Sequence, residues 1–206
     1  MSAAKSMKDA YLRFRARAYD PLMLPLEASW FRAWRKETVA SLSGIGLEIG
    51  IGTGLSIAHY TDNVELHAIE KLEAMAELAK KRRLRSGDRV HVRCARAEAL
   101  PYDARTFDFV VGQFTLCSVD DPDQALRELA RVLKPSGRLH LLEHKKSDRV
   151  GVGFAQDLFA PGWRHVAVGC RLNNDLSAQL ARSPFEIVTR RVRWAGCIEQ
   201  IEASIA

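Results

Sequence analysis

The chain has 206 residues, 47% hydrophobic and 27% charged, a composition that fits one α/β domain with a full core and leaves little room for a second. Its start, "MSAAKSMKDAYLRF", lacks the apolar h-region of a signal peptide, and its most apolar stretch, "FDFVVGQFTLCSV", is well under the roughly 18–20 residues of a membrane span. The net charge of +6 is uneven: residues 1–40 hold eight Lys/Arg against four Asp/Glu, while the remainder holds 23 against 21, so no basic stripe runs along the chain and nucleic acid is not an expected partner.

The first 42 residues read as a helical arm. Helical patterns cover 5–18 and 26–42, and Pro21 and Pro25 in "DPLMLP" are expected to break helix continuation between them. The arm carries Tyr11, Phe14, Tyr19, Trp30, Phe31 and Trp34 among its basic residues. Two readings stand: a lid whose aromatics face the core, or an element that docks residues 1–40 on a membrane surface. The expected location is cytoplasmic, with peripheral membrane contact as the alternative.

Short apolar runs then alternate with amphipathic stretches. "IGLEIG", "VELHAIE", "RVHVRC", "FDFVVGQF" and "RLHLLEH" read as strands, and "KLEAMAELAKKRRLR" and "DPDQALRELARVLK" as helices. Residues 145–174, with four glycines, one proline and no clean period, read as an irregular substrate loop. A short helix near "NDLSAQLAR" and two strands, "FEIVTRRV" and "CIEQIEASI", close the chain. The alternation predicts a doubly wound, mostly parallel seven-stranded sheet covered on both faces, in one domain over 1–206. Within it, 1–42 is the lid or arm, 45–144 the cofactor-binding core, and 145–206 the substrate loop and closing strands.

"GLEIGIGTG" opens the core. In a doubly wound sheet, ligands bind outside the carboxyl ends of the strands where the strand order reverses, and the turn after the first strand sits there. Gly50, Gly52 and Gly54 in that turn allow positive φ and let a cofactor touch the main chain. A dinucleotide asks for G-x-G-x-x-G with its pyrophosphate on the helix N-terminus. Here the spacing is G-x-G-x-G, and Glu48 precedes it, a carboxylate that would repel a pyrophosphate and suits a cation. S-adenosylmethionine, with its ammonium, sulfonium and ribose, fits better. Glu70, at the end of the second strand, is placed to accept from both ribose hydroxyls.

"LEIGIGTG", "AIEKLEAM", "RAEALPYDARTFDFVV" and "LARVLKPSGRLHLLEH" resemble, in order, the motifs of class I S-adenosylmethionine-dependent methyltransferases. The resemblance implies the Rossmann-like methyltransferase fold, S-adenosylmethionine as cofactor, S-adenosylhomocysteine as product, and no metal. It places Glu48, Gly50, Gly52 and Gly54 at the methionine moiety and Glu70 at the ribose. Lys71 and Leu72 come beside the adenine, Ala97 and Glu98 along its edge, and Gln113, Phe114 and Thr115 next to the transferable methyl. Arg96 departs from the pattern, because many members carry Asp there and arginine accepts no adenine amino proton. "TLCSVDDPDQALRELARVLKPSGRLHLLEH" and "GWRHVAVGCRLNNDLSAQLARSPFEI" resemble the methyltransferase-like-seven group of membrane-associated thiol methyltransferases. "RARAYDPLMLPLE" is similar to small bacterial phospholipid N-methyltransferases, where a Tyr-Asp pair sits on a lid. The acceptor implied is small and lipophilic: a thiol first, a phospholipid amine second, a quinone or hydroxyl third.

Methyl transfer from a sulfonium needs alignment more than acid–base help. His144, at the end of the fifth strand, is the expected catalytic assistant, with a histidine bonded to the sheet edge as the plain alternative. Tyr19 on the lid and Asp157 in the loop complete the catalytic candidates. Cys117, Trp163 and His165 are the candidates for the acceptor pocket. The four cysteines, Cys94, Cys117, Cys170 and Cys197, lie at least 23 positions apart without a C-x-x-C, which argues against a zinc site and for free thiols.

Overall fold

A computed structural model describes residues 3–83, 88–167 and 169–206 of the chain. Period-two alternation builds its centre. In the strand Phe107–Gln113, Val110 points into one apolar cluster, whereas Phe109 and Val111 point into another. Seven strands share one sheet: β1 (Gly44–Ile49), β2 (Val64–Glu70), β3 (Val90–Cys94), β4 (Phe107–Gln113), β5 (Leu133–His144), β6 (Phe185–Arg193) and β7 (Ile198–Ile205). Their order is β3-β2-β1-β4-β5-β7-β6. The first five pair in parallel, and β7 enters antiparallel between β5 and β6. The order reverses between β1 and β4, which opens a crevice at their carboxyl ends.

Helices cover both faces. α2 (Arg32–Val39) and α3 (Glu73–Arg83) contribute Val39, Ala76 and Ala79 to one cluster. α4 (Pro122–Val132) and α6 (Leu176–Ala181) contribute Leu126, Leu129, Leu176 and Leu180 to the other. α4 starts as its sequence dictates: Pro122 occupies the first turn, and the Asp121 side chain accepts from the Gln124 N–H at 2.9 Å. β6 is an exposed edge strand whose Arg190, Arg191 and Arg193 discourage further pairing.

Two segments differ from expectation. α1 (Ala3–Leu26) runs through Pro21 and Pro25 without a break, then widens to a π-turn over Glu27–Phe31 before α2. Pro21, Pro25 and Arg17, whose carbonyl loses its helical partner to Pro21, are all exposed, so water can serve the freed carbonyls. The expected loop after β5 instead holds α5 (Val150–Val166), a 17-residue helix containing Pro161. Its anchor is Gln156, which is buried. The side chain accepts from the Ser147 N–H at 2.7 Å and donates to the Lys145 and Leu172 carbonyls at 2.9 and 2.7 Å. Three bonds to distant backbone replace the regular apolar stripe that α5 lacks.

Candidate active site

The turn after β1 bends at Gly50 (φ +60°) and Gly52 (φ +59°), conformations that cost an L-residue about 1–2 kcal/mol. A Cβ on Gly50 would lie 2.4 Å from the Thr115 side chain, so the close approach of the β1 and β4 ends also requires glycine. The bend aims the Gly52 N–H at Glu70 Oε2 (3.0 Å), while the Leu72 N–H donates to Oε1 (2.9 Å). Each oxygen keeps a lone pair. Burial raises the Glu70 carboxyl above its ordinary value against these two bonds.

Above this turn lies an open cleft. Gly50, Gly52, Glu70 and Lys71 form its polar edge, with Ile69, Met75, Ala95, Ala97 and Val119 as apolar walls. Tyr19 from α1, Phe114, Thr115, Ser118 and Ala167 close the other side. Lys71 Nζ spans the edge to the Ser118 carbonyl at 3.1 Å. Glu98, at the rim, takes Arg96 at 2.8 Å and the Asp120 N–H at 3.2 Å. Arg96 also pairs with Asp120, so both of its partners are carboxylates at this rim.

The arm is latched over the glycine turn. Asp20 accepts from the Thr53 hydroxyl at 2.6 Å and pairs with Arg82 of α3, and Arg82 also bonds the Thr53 carbonyl at 2.7 Å. Tyr19, next to this latch, is a cleft residue whose phenol burial pushes up to about 12. It can donate a proton in a hydrogen bond but is no base near neutrality. Phe114 holds a left-handed backbone (φ +58°), and its N–H bonds the Leu142 carbonyl at 2.7 Å. Its ring stacks on Phe31 at 4.7 Å, with the Arg35 guanidinium over it at 5.1 Å. Arg35 is buried, paired with Glu27 at 2.9 Å and donating to Gln113 Oε1 at 3.3 Å. Sequence reading missed it because a basic residue on a basic arm carries no mark of burial.

Several expected site residues lie outside the cleft wall. Glu48 is buried beneath the glycine turn, 2.8 Å from the Ser56 and Tyr60 hydroxyls, and burial raises its carboxyl to about 7. Its place is therefore support of the turn, not direct display to a cation. Gly54 makes room for packing, since a Cβ there would meet Ile57 at 2.8 Å and the Ala79 backbone at 3.2 Å. Gln113 is spent on Arg35, and Leu72 borders a neighbouring surface groove with Arg13 and Arg17. Asp157 faces outward on α5, paired with Lys146 at 2.7 Å and bonded by Asn173 at 3.0 Å, so it does not reach the cleft. The side chain of His165 lies outside the described residues.

His144, Cys117 and Trp163 come together behind the cleft instead of lining it. The His144 ring packs against Phe114 at 4.9 Å, and its Nδ1 lies 3.3 Å from Cys170 Sγ and 3.8 Å from Cys117 Sγ. The two sulfurs are 3.4 Å apart. The Cys117 thiol donates to Cys170 and, with His144 and Trp163 beside it, holds the Cys170 thiol down. The same bond and burial push Cys117 up. Sequence spacing hid this cluster, because the end of β4, the end of β5 and the turn after α5 meet only in the folded chain.

A methyltransferase-domain family model matches residues 47–141. A ubiquinone/menaquinone biosynthesis C-methyltransferase (UbiE) of Escherichia coli is 31% identical over 216 residues, covering 89% of this chain and 84% of that protein. The chain belongs to the class I S-adenosylmethionine-dependent methyltransferases. A UbiE protein of Hahella chejuensis is 46% identical to this methyltransferase over 74 residues, 36% of this chain and only 30% of the relative. The crystal structure of a SAM-dependent methyltransferase from Aquifex aeolicus superposes with a TM-score of 0.68 at 20% identity, over 94% of this chain and 98% of that one; it shares the fold. The cofactor is S-adenosylmethionine. The relatives are named for carbon methylation in quinone biosynthesis, which overturns the expected order of acceptors with a thiol first and a phospholipid amine second.

Proposed function

We propose that this methyltransferase transfers a methyl group to a ring carbon of a reduced, quinone-type aromatic acceptor. Kinship to a quinone-biosynthesis C-methyltransferase along 89% of the chain carries the reading. The cleft fits the cofactor: the bare Gly50 and Gly52 admit close contact, Glu70 keeps free lone pairs for a ribose diol, and apolar walls suit a flat purine. S-adenosylmethionine supplies, when bound, a methyl group activated by its sulfonium. Phe114, Thr115 and Tyr19 would face that methyl.

A flat acceptor suits Phe114 and Tyr19, since aromatic rings pack against rings. Among the described cleft residues none is left to act as a strong base: Tyr19 stays protonated, Glu98 is paired with Arg96, and the lone pairs Glu70 keeps are those offered to the ribose diol. A quinol brings its own electron-rich ring: the carbon–methyl bond would form as the sulfonium–methyl bond breaks, and the displaced ring proton would pass to water once the methyl is in place. The protein's part is alignment and exclusion of water, which can supply about 7–11 kcal/mol.

A lipophilic acceptor also gives the exposed apolar side chains a use. No helix among the described residues is long and apolar enough to cross a membrane. Phe14, Leu22 and Leu24 on α1 and Phe154, Leu158 and Phe159 on α5 nonetheless stand 55–70% exposed, with Arg13 and Arg17 on the same arm. Apolar residues beside basic ones suit peripheral contact with an anionic membrane surface, where such an acceptor resides.

The test is S-adenosylhomocysteine release with a short-chain naphthoquinol, against the oxidised quinone and a hydroxyl-capped quinol. Turnover is expected with the quinol alone, with the product carrying the methyl on a ring carbon. No turnover with any quinol, or methylation at oxygen, overturns the reading. The surface contact is tested by sedimentation with anionic vesicles, which should carry down the wild type and leave the triple variant Leu22→Ser, Leu24→Ser, Leu158→Ser in solution.

A further inference from the structure

Three soft or borderline ligand atoms converge from remote parts of the chain. Cys117 lies on a short turn (Leu116–Ser118) after β4, His144 ends β5, and Cys170 follows α5. All three are buried, and their ligand atoms lie within 4.8 Å of one another. The edges of this triangle are 3.4 Å for Sγ–Sγ and 3.3 and 3.8 Å for the two Sγ–Nδ1 pairs. A tetrahedral zinc ion, with bonds of about 2.3 Å to sulfur and about 2.05 Å to nitrogen, requires edges of about 3.8 and about 3.6 Å. Shifts of a few tenths of an ångström convert one triangle into the other.

The ligands are also held in place. The buried Glu143 carboxylate accepts from the Thr115, Leu116 and Cys117 N–H groups at 2.7, 2.8 and 3.3 Å, which fixes the turn carrying Cys117. Arg171 returns to the Cys117 carbonyl through its own N–H at 3.0 Å and its side chain at 3.1 Å, locking Cys170 against that turn. Support of this kind orients metal ligands and sharpens affinity.

We propose that Cys117, His144 and Cys170 form a binding site for a zinc-type divalent cation, distinct from the methyl-transfer cleft. As the two metal–sulfur bonds form, whatever protons the sulfurs still carry pass to water, and His144 gives the third bond through Nδ1. Two thiolates balance the dication, so the buried complex carries no net charge. Water or another small ligand completes the fourth position. The ion takes no part in methyl transfer; it ties the ends of β4, β5 and α5 together behind Phe114, Ser118 and Ala167, which line the cleft.

The experiment uses the full chain, reduced and stripped of metal, titrated with cobalt(II) and then zinc against a chromophoric chelator. Expected are one equivalent per chain, a thiolate-to-cobalt charge-transfer band with tetrahedral d–d absorption, and displacement of cobalt by zinc. Cys117→Ser and Cys170→Ser each lower the affinity at least 100-fold. Cys94→Ser, at an exposed thiol, leaves it unchanged. S-adenosylmethionine binding, measured by calorimetry on each variant, reports that the variants are folded. The proposal is overturned by absence of the cobalt–thiolate band in the folded wild type, or by a band that survives loss of Cys117 and Cys170. Recovery of a Cys117–Cys170 disulfide, with no metal bound after its reduction, also overturns it.

Discussion

The two sides of the cleft are made of different materials. On the β1–β2 side the wall is main chain and one carboxylate: Gly50 and Gly52 bend, Glu70 is pinned by two N–H groups, and every feature falls between Gly50 and Leu72. On the α1–α5 side it is side chains from three remote places in the chain, Tyr19 of α1, Phe114 and Ser118 after β4, and Ala167 after α5, backed by Phe31, Arg35 and the Cys117–His144–Cys170 group. In the proposed function the first side serves the cofactor and the second the acceptor; the shape of the second side depends on how long-range packing places rings and helices. Main-chain recognition ties function to local sequence, whereas side-chain recognition ties it to the assembled fold.

That contrast breaks most directly at Gly50. Gly50→Ala sets a Cβ 2.4 Å from Thr115 in a positive-φ residue, with a cost of about 2–5 kcal/mol from strain and overpacking together. We expect calorimetry to show at least a 100-fold loss of S-adenosylmethionine affinity and thermal unfolding to show a lower Tm. Unchanged affinity would mean that the turn is not the cofactor's seat.

Glu48 sharpens the comparison through pH. Its carboxyl is raised by burial from 4.5 to about 7, so the folded chain holds a proton that the unfolded chain has released. This contribution is full below about pH 4.5 and is lost as pH climbs through about 7, on the order of 3 kcal/mol in total. Urea unfolding at pH 5 and pH 8 should show that loss in the wild type and a much flatter profile in Glu48→Gln. Equal slopes would place the proton elsewhere.

Glu70→Gln keeps the shape but removes the charge that accepts from Gly52 and Leu72. A charge-assisted bond contributes about 1.5–3 kcal/mol. The cofactor Kd should rise about 10- to 100-fold with little change in the acceptor's KM. A matching rise in acceptor KM would show that the two sides are not separable.

The smallest effects belong to the acceptor-side exterior. Asp20→Asn loosens a half-exposed latch on Thr53 and Arg82, and solvent screening limits its worth to about 1 kcal/mol. It should raise the cofactor off-rate a few-fold in stopped-flow displacement. Asp157→Asn, whose carboxylate is engaged by Lys146 and Asn173 away from the cleft, should leave kcat within about twofold; a larger fall would return Asp157 to the chemistry.

Sequence by itself determined the parallel core, the order of strand and helix, and the glycine turn with Glu70. Each is written in a local pattern of residue types: a period of two, a period of 3.6, a turn that only glycine can make. The tertiary structure decided the rest. It carried α1 through two prolines because their free carbonyls meet water, and it made a helix of 150–166 because Gln156 found three distant partners. It withdrew Glu48, Gly54, Gln113 and Asp157 from the cleft, and it gathered Cys117, His144 and Cys170 from positions up to 53 apart. Periodicity records which face of an element is buried. It does not record which element will be lying against that face, and that is where the α1–α5 side of the cleft is made.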